Sequence, residues 1–448
     1  MKRLLVDARP LTHPTAGGRG IGNHVAGILE GLAAIDAPAI ALVEHEAARG
    51  LVPSAFPGDS VEILGRDVIR RHAADGTWFL ATSMYLHPVS LDPIPRAVTD
   101  AHLPVAALLY DVIPYRYPAQ YLVEDDPARQ ARLRALWART VDVHCANSRF
   151  VADTAVAELG IDPGRIRVVG ASANARFRPA ASGAASPRDE PYVVSITGHE
   201  DRKNTEGLLW AWGRVDPGLR GTTKLVVVAT PPVPVLQRWR AVAEAAGCAD
   251  RVEFATGRGD AEVVALLQHA AVNVVPSLEE GFGLPVLEGA ACGVPVICSG
   301  VTSLPEVLDE PAAHFDPTDP GAIAIAIERA ITDLDHRAVL AAAASRAVAR
   351  WSWHRVVGDI VTAIDELGPR WPRRITQPVE RYAVRGTDPG KIDAAVAGLR
   401  ARRPGAEVIR ARGPLGTPDR VPFDGVTVPA AALGRYVKRH DLDAVVDA

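Results

Sequence analysis

Glu280 and Glu288 are two carboxylates with seven residues between them, in the stretch Val274–Gly300, VVPSLEEGFGLPVLEGAACGVPVICSG. The stretch reads as strand, glycine-rich loop, short helix, strand. Val274 and Val275 close a buried strand, and Pro276, Ser277, Gly281 and Gly283 make the turn. Pro285 suits a first helical position, where a missing N–H costs nothing. Gly293 and Pro295 end the helix, and Val294–Cys298 reads as the next strand. Free backbone N–H groups at a helix N-terminus form an anion site. Side chains tilt toward the helix start, so Glu288 looks back at the same spot. A carboxylate repels phosphate but accepts two hydroxyl protons from a sugar diol. Phosphate flanked by hydroxyls describes a nucleotide-sugar. Further upstream, Gly198-His-Glu-Asp-Arg-Lys-Asn204 sets Arg202 and Lys203 between a strand end and a helix start. Two adjacent cations there suit a diphosphate. The plainer alternative is an ordinary strand–turn–helix with two surface carboxylates and two solvated cations.

With GFGLP between the two glutamates and GVPVI after them, the stretch resembles the signature of the retaining GT-B glycosyltransferases of family 4. The resemblance implies that Glu280 meets the transferred sugar and Glu288 the ribose. The N–H groups of Gly281, Phe282, Gly283 and Leu284 would meet the diphosphate. Lys203 would grip it with Arg202 assisting, and Gly198 would approach the donor. In the first half, Gly20-Ile21-Gly22 matches the family's loop facing donor phosphates and acceptor, while Asn23-His24 departs from its usual Arg-Tyr. Leu109-Tyr-Asp-Val-Ile-Pro114 resembles the HDLIP element, with Tyr110 where a sugar-touching His is usual. Asp111 is either a site carboxylate or the cap of the turn at Pro114. Ser148 and Phe150 resemble a short S-x-F element, Ser148 reading more simply as a helix cap. Leu304-Pro305-Glu306 continues the pattern.

The implied activity is transfer of a hexose from a nucleoside-diphosphate sugar to a saccharide or lipid-linked acceptor hydroxyl, with retention and without a metal or other cofactor. The YDVIP form is reminiscent of polysaccharide mannosyltransferases, which suggests GDP-mannose. Two other readings stand beside it. One is a nucleotide-sugar epimerase or pseudo-glycosyltransferase on the same fold; the other is a silent binding scaffold.

Composition narrows the field. The chain has 448 residues, 48% apolar and 23% charged, with a net charge of −4. Neither the charge nor the 5% aromatic content suits a nucleic-acid partner. Cys145, Cys248, Cys292 and Cys298 form no CxxC pair, so buried thiols are expected rather than a disulfide or zinc site. No apolar run approaches ~18 residues, and Asp7 and Arg9 interrupt any leader core. A cytoplasmic protein is expected. Gly18, Gly20 and Gly22 have the wrong spacing for a dinucleotide fingerprint, and lie too far from the strand.

Short apolar strands alternate with helical patterns throughout, which predicts an α/β protein with two Rossmann-like doubly wound domains facing a cleft. We expect an acceptor domain over 1–180, a linker at Ala180–Glu190 and a donor domain over 188–350. A helix over 351–367, beginning at Trp351-Ser-Trp353, would cross back to the first domain. The basic amphipathic stretch Pro127–Thr140 would pack its apolar stripe on its own sheet or lie peripherally on an anionic membrane. Residues 370–448 read as a small β-α-β-α-β extension, with strands at Arg381–Val384, Glu407–Ile409 and Leu442–Val446. Its helices would start at Asp388-Pro389 and at Pro429. Its unfilled edge suggests either the start of a further domain or a piece that docks elsewhere.

Overall fold

The computed structural model describes residues 1–13, 20–82, 84, 93–123, 131, 134–370, 381–386, 388–403, 407–412, 420–423, 426–429 and 444–447. The first sheet contains β1 (Arg3–Asp7), β2 (Ala39–Val43), β3 (Val61–Ile63), β4 (Thr77–Ala81), β5 (Val105–Leu109), β6 (Val143–Ala146) and β7 (Ile166–Val168). All pairings are parallel, in the order β3-β2-β1-β4-β5-β6-β7. Strands such as LLV, FLA and VAALL are apolar at nearly every position because both sheet faces are covered. The second sheet contains β8 (Tyr192–Ile196), β9 (Lys224–Val228), β10 (Val252–Ala255), β11 (Val272–Val275), β12 (Val296–Ser299) and β13 (His314–Phe315). It is again all parallel, in the order β10-β9-β8-β11-β12-β13.

Both orders reverse direction, at β1/β4 in the first sheet and at β8/β11 in the second. At such a switch point neighbouring loops diverge and leave a crevice beyond the carboxyl ends. Because β8 pairs directly with β11, through Val193↔Val272 and Val194↔Asn273, the loops following them become neighbours. That pairing brings Lys203 to Glu280 across 77 residues of sequence.

The helices that matter for the site are α1 (Gly20–Ala34), α2 (Ile113–Arg116), α3 (Arg149–Leu159), α4 (Thr205–Trp212), α5 (Asp260–Gln268), α6 (Leu284–Ala291) and α7 (Trp353–Leu367). Gly20 and Gly22 lie in the first turn of α1, not in a loop as the sequence suggests. Helix α6 starts at Leu284, with Pro285 at its second position. Strand β12 begins two residues later than Val294. Ser352 caps α7 by accepting from the Arg355 N–H. The buried Val356, Val357, Ile360 and Ile364 of α7 then join the core of the first lobe, against Val25, Ile28 and Leu32 of α1.

Within Pro127–Thr140, residues 131 and 134–138 are helical, and 127–130 and 132–133 lie outside the described residues. The expected stripe is partly inverted: Arg134 is buried while Leu136 is 60% exposed. In the tail, β14 (Arg381–Gly386) pairs in parallel with β15 (Glu407–Arg412) and β18 (Ala444–Asp447). Helix α8 (Pro389–Arg402) follows β14, capped by Asp388. Two further strands, β16 (Arg420–Phe423) and β17 (Val426–Pro429), form an antiparallel hairpin that the sequence did not suggest. Pro429 therefore ends a strand rather than opening a helix; residues 430–443, where that helix was expected, lie outside the described residues. All four cysteines are buried free thiols. Among the described residues no helix is long and apolar enough to cross a membrane.

Candidate active site

The crevices of the two sheets face each other across one cleft of about 640 Å³. Its lining includes Gly20, Tyr110 and Asp111 from the first lobe, and Gly198, Arg202, Lys203, Glu280 and Glu288 from the second. Gly281, Phe282, Gly283 and Leu284 line it too, at the start of α6. Gly22 is buried in α1 and is not among the lining residues.

The two cations meet Glu280 through a local device. Asp201–Lys203 form one 3-10 turn, which ends on Asn204 in the left-handed region at φ 56°. The Asn204 amide donates to the carbonyls of Pro276 (3.0 Å) and Pro317 (2.8 Å), anchoring this reversal to the neighbouring loop. The Leu278 N–H donates to the Arg202 carbonyl at 2.7 Å. Lys203 Nζ then lies 2.7 Å from Glu280 Oε1, and Arg202 Nη1 lies 3.3 Å from Oε2. Ser277 Oγ donates to Glu280 Oε1 at 2.8 Å. Burial alone would raise the Glu280 carboxyl. The charges of Lys203 and Arg202 with these hydrogen bonds outweigh it and hold the group below its ordinary value. Burial opposes the charge on Arg202, but Glu280, Glu200 and Asp111 outweigh it and raise that group.

Glu288 has different surroundings. Burial pushes its carboxyl up to about 7, with Arg176 and Lys203 pulling it partly back. Among the described residues no hydrogen bond reaches its side chain. Arg176 Nη1 instead pairs with Asp260 Oδ2 at 2.8 Å.

The loop carrying Glu280 is built for close approach. A Cβ on Gly281 would lie 2.4 Å from the Tyr110 carbonyl oxygen and 2.8 Å from Asp111 Cβ, so only glycine admits this contact between lobes. Gly283 has φ 105°, a left-handed turn that delivers the chain into α6. Ser303 Oγ lies 2.9 Å from the carbonyl oxygens of both Glu280 and Phe282.

Asp111 combines its two sequence readings. Its Oδ1 accepts from the Ile113 N–H at 3.1 Å, as a turn cap does. Its carboxyl also faces the cations: burial raises it, Arg202 and Lys203 oppose the rise, and Glu280 adds to it. The Tyr110 ring stands edge-on to His24 at 4.9 Å, and its hydroxyl is buried without a hydrogen-bond partner among the described residues. Burial lowers His24 to about 3, so it remains neutral.

Several polar residues at the site escaped the sequence reading. Glu279 is only 3% exposed, and Arg116 and the Tyr117 hydroxyl of the first lobe both bond its carboxylate. Only its adjacency to Glu280 marked it. Ser277, Thr302 and Ser303 carry no motif of their own. Ser148 does cap α3 by accepting from the Val151 N–H (3.0 Å), and its hydroxyl also donates to the Gly281 carbonyl at 2.7 Å.

Two facing doubly wound lobes, with polar groups gathered at the carboxyl ends of both sheets, define the GT-B architecture. The same fold is found in HepE of Anabaena in complex with UDP and glucose, with TM-score 0.63 and 17% identity, over 82% of this chain and 100% of that one. WaaG, a glycosyltransferase involved in lipopolysaccharide biosynthesis, shares it with TM-score 0.55 and 15% identity, over 81% and 99%. Residues 181–347 of the chain match the model of the glycosyl transferases group 1 family. It is 34% identical to the serotype-specific mannosyltransferase WbdA of Escherichia coli over 165 residues, 37% of this chain and 20% of that protein. It is 31% identical to a D-inositol 3-phosphate glycosyltransferase of Salinispora tropica over 270 residues, 55% of this chain and 56% of that protein. The chain thus spans at most about half the length of these curated relatives.

Proposed function

We propose that the protein is a retaining glycosyltransferase that moves a sugar from a nucleoside-diphosphate sugar to an acceptor hydroxyl in polysaccharide, O-antigen or glycolipid synthesis. One observation carries this reading: Lys203, Arg202, Glu280, Glu288 and the start of α6 line a single cleft closed from the other side by Tyr110 and Asp111. Residues 1–180 serve as the acceptor lobe and 188–350 as the donor lobe, with 351–367 joining them. Residues 370–448 form a small α/β extension beyond the two lobes.

In this mechanism the sugar–oxygen bond breaks toward the diphosphate, and negative charge grows on the leaving group. Lys203, Arg202 and the N–H groups of Gly281–Leu284 stabilise it in a water-poor cleft, so the reaction proceeds without a metal. Glu280, kept ionised by Lys203 and Arg202, orients the sugar and stabilises positive charge at the anomeric carbon. The acceptor hydroxyl attacks from the face the diphosphate leaves and gives its proton to the departing diphosphate oxygen, so the configuration is retained. Glu288 accepts the ribose hydroxyls. Similarity to mannosyltransferases supports mannose as the transferred sugar and GDP-mannose as the donor.

The test is incubation with GDP-mannose, UDP-glucose and ADP-glucose, with and without saccharide and lipid-linked acceptors. Anomeric NMR of the product reports its configuration. Glu280→Ala should abolish both transfer and acceptor-free donor hydrolysis, and EDTA should leave the rate unchanged. Inversion at the anomeric carbon, or an altered nucleotide-sugar formed with no acceptor present, would overturn the proposal.

A further inference from the structure

Helix α3 of the first lobe begins with a charge deficit. Its first turn holds no acidic residue, although the exposed N–H groups and positive dipole end of a helix attract one. Ser148 satisfies one N–H, that of Val151. The next two belong to Arg149 and Phe150, and the second lobe satisfies both. Glu306, in the short helix Leu304–Val307, accepts the Arg149 N–H on Oε2 and the Phe150 N–H on Oε1, each at 2.7 Å. This is a two-pronged, charge-assisted contact across 157 residues of sequence. It is also coupled to the site. Ser303, three residues before Glu306, holds the Glu280 and Phe282 carbonyls. On the other side, Ser148 holds the Gly281 carbonyl.

We propose that Glu306 is a positioning residue for catalysis: by capping α3 from the opposite lobe, it fixes the lobes in the register that sets Glu280 against Asp111. Relative motion is the default for two domains of one chain, and the contact exists only while the lobes meet. Glu306 does not line the cleft, so its contribution is to register rather than to donor contact. The inference rests on the glycosyl-transfer reading for its kinetic arm, but not for its structural arm.

The experiment uses the full chain with spin labels on cysteines replacing the exposed Glu158 and Arg240, one on each lobe; the native cysteines are buried. Interlobe distances are measured with and without GDP or UDP, beside kcat, donor KM and thermal unfolding. Glu306→Ala should broaden and lengthen the distance distribution. It should lower kcat about tenfold or more while shifting nucleotide affinity by no more than about twofold, because charge-assisted hydrogen bonds of this kind are lost only from the closed state. Glu306→Gln, which keeps one accepting oxygen, should fall between. Adding Arg149→Asp to Glu306→Ala restores an acid to the first turn of α3 without bridging the lobes. It should recover thermal stability but neither the short distance nor kcat. Unchanged distances in Glu306→Ala, or recovery of kcat together with stability in the double variant, would overturn the proposal. If the wild type transfers no sugar from any donor, the functional reading fails, and the distance measurement still decides the role of Glu306.

Discussion

Lys203 Nζ stands 2.7 Å from Glu280 Oε1, with both side chains largely withdrawn from solvent. The two come from loops that meet because β8 and β11 are sheet neighbours. A buried carboxylate left without its partner is strongly destabilising, whereas removing both charges is far less costly. Lys203→Met should therefore cost about 2 kcal/mol in urea unfolding, Arg202 retaining part of the compensation. Lys203→Met/Glu280→Gln should recover most of that stability while transferring no sugar. Glu280, depressed when folded, contributes stability present above its ordinary value of 4.5 and lost as pH falls through its lower folded value. Lys203→Met should shift that acid limb toward higher pH. Full activity in the double variant would refute the assigned roles.

Glu288 predicts a pH dependence of opposite sign. Its carboxyl is raised from 4.5 to about 7 by burial. The stability it contributes is present below 4.5 and lost as pH rises through about 7. Glu288→Gln should thus flatten the fall in stability over this window and be the more stable form at the alkaline end. Donor capture needs the ionised form to accept two hydroxyls, so affinity for the nucleotide should rise with pH through the same range in the wild type. In Glu288→Gln the affinity should be lower and flat. Calorimetric titration of GDP and UDP across the range checks both; an unchanged slope in the variant would remove Glu288 from the ribose.

Gly281 marks where the lobes touch. A methyl group there meets the Tyr110 carbonyl oxygen at 2.4 Å, and a backbone atom cannot swing aside as a flexible side chain does. Gly281→Ala should push the loop and first lobe apart by a fraction of an ångström to about 1 Å, enough to lower kcat about 100-fold. The second lobe's own contacts around Lys203 and Glu280 would stay intact, so GDP or UDP binding should weaken far less than kcat. Equal losses in binding and turnover would show that the clash disrupts the second lobe itself.

The second lobe was the more legible half of the chain. Its signature lies inside one strand–loop–helix unit, and local chemistry dictates most of it: Gly283 for the left-handed turn, Pro285 near the helix start, Glu288 tilted back. Lys203 could be assigned to a diphosphate from its place before a helix start and by resemblance, but its ion pair with Glu280 could not be read, because the β8–β11 pairing lies outside any local window. Contacts between lobes were the least legible. Nothing near Glu306 in sequence indicates that it caps a helix beginning at Arg149, and nothing near Glu279 names Arg116. Glycine misled at Gly20 and Gly22: they suggest a loop, but the apolar spacing of Val25, Ile28, Leu29 and Leu32 carries the helix back through both. In the tail, Pro429 reads locally as a helix opener. The antiparallel register with Arg420 instead places it at a strand end, where a missing N–H is tolerated.

Trp353 and Gly27 yield a coupled prediction about the helix that joins the lobes. The indole lies in the space a Gly27 side chain would need: a Cβ there would be 2.0 Å from Trp353 Cε2. The ring also meets His24 edge-on at 4.9 Å, and its N–H donates to the Ala173 carbonyl at 3.1 Å. Gly27 is thus the recess on α1 into which α7 inserts its first residue. Trp353→Ala empties the recess and should cost about 3 kcal/mol. Gly27→Ala overfills it and should cost about 2 kcal/mol. In the double variant the methyl group occupies part of the vacated space, so the combined cost should fall at least about 1 kcal/mol short of the sum. Urea unfolding of the four proteins measures this coupling. Strict additivity would mean that the two residues do not share the recess, and that α7 is held to the first lobe by Val356, Val357, Ile360 and Ile364 without help from its tryptophan.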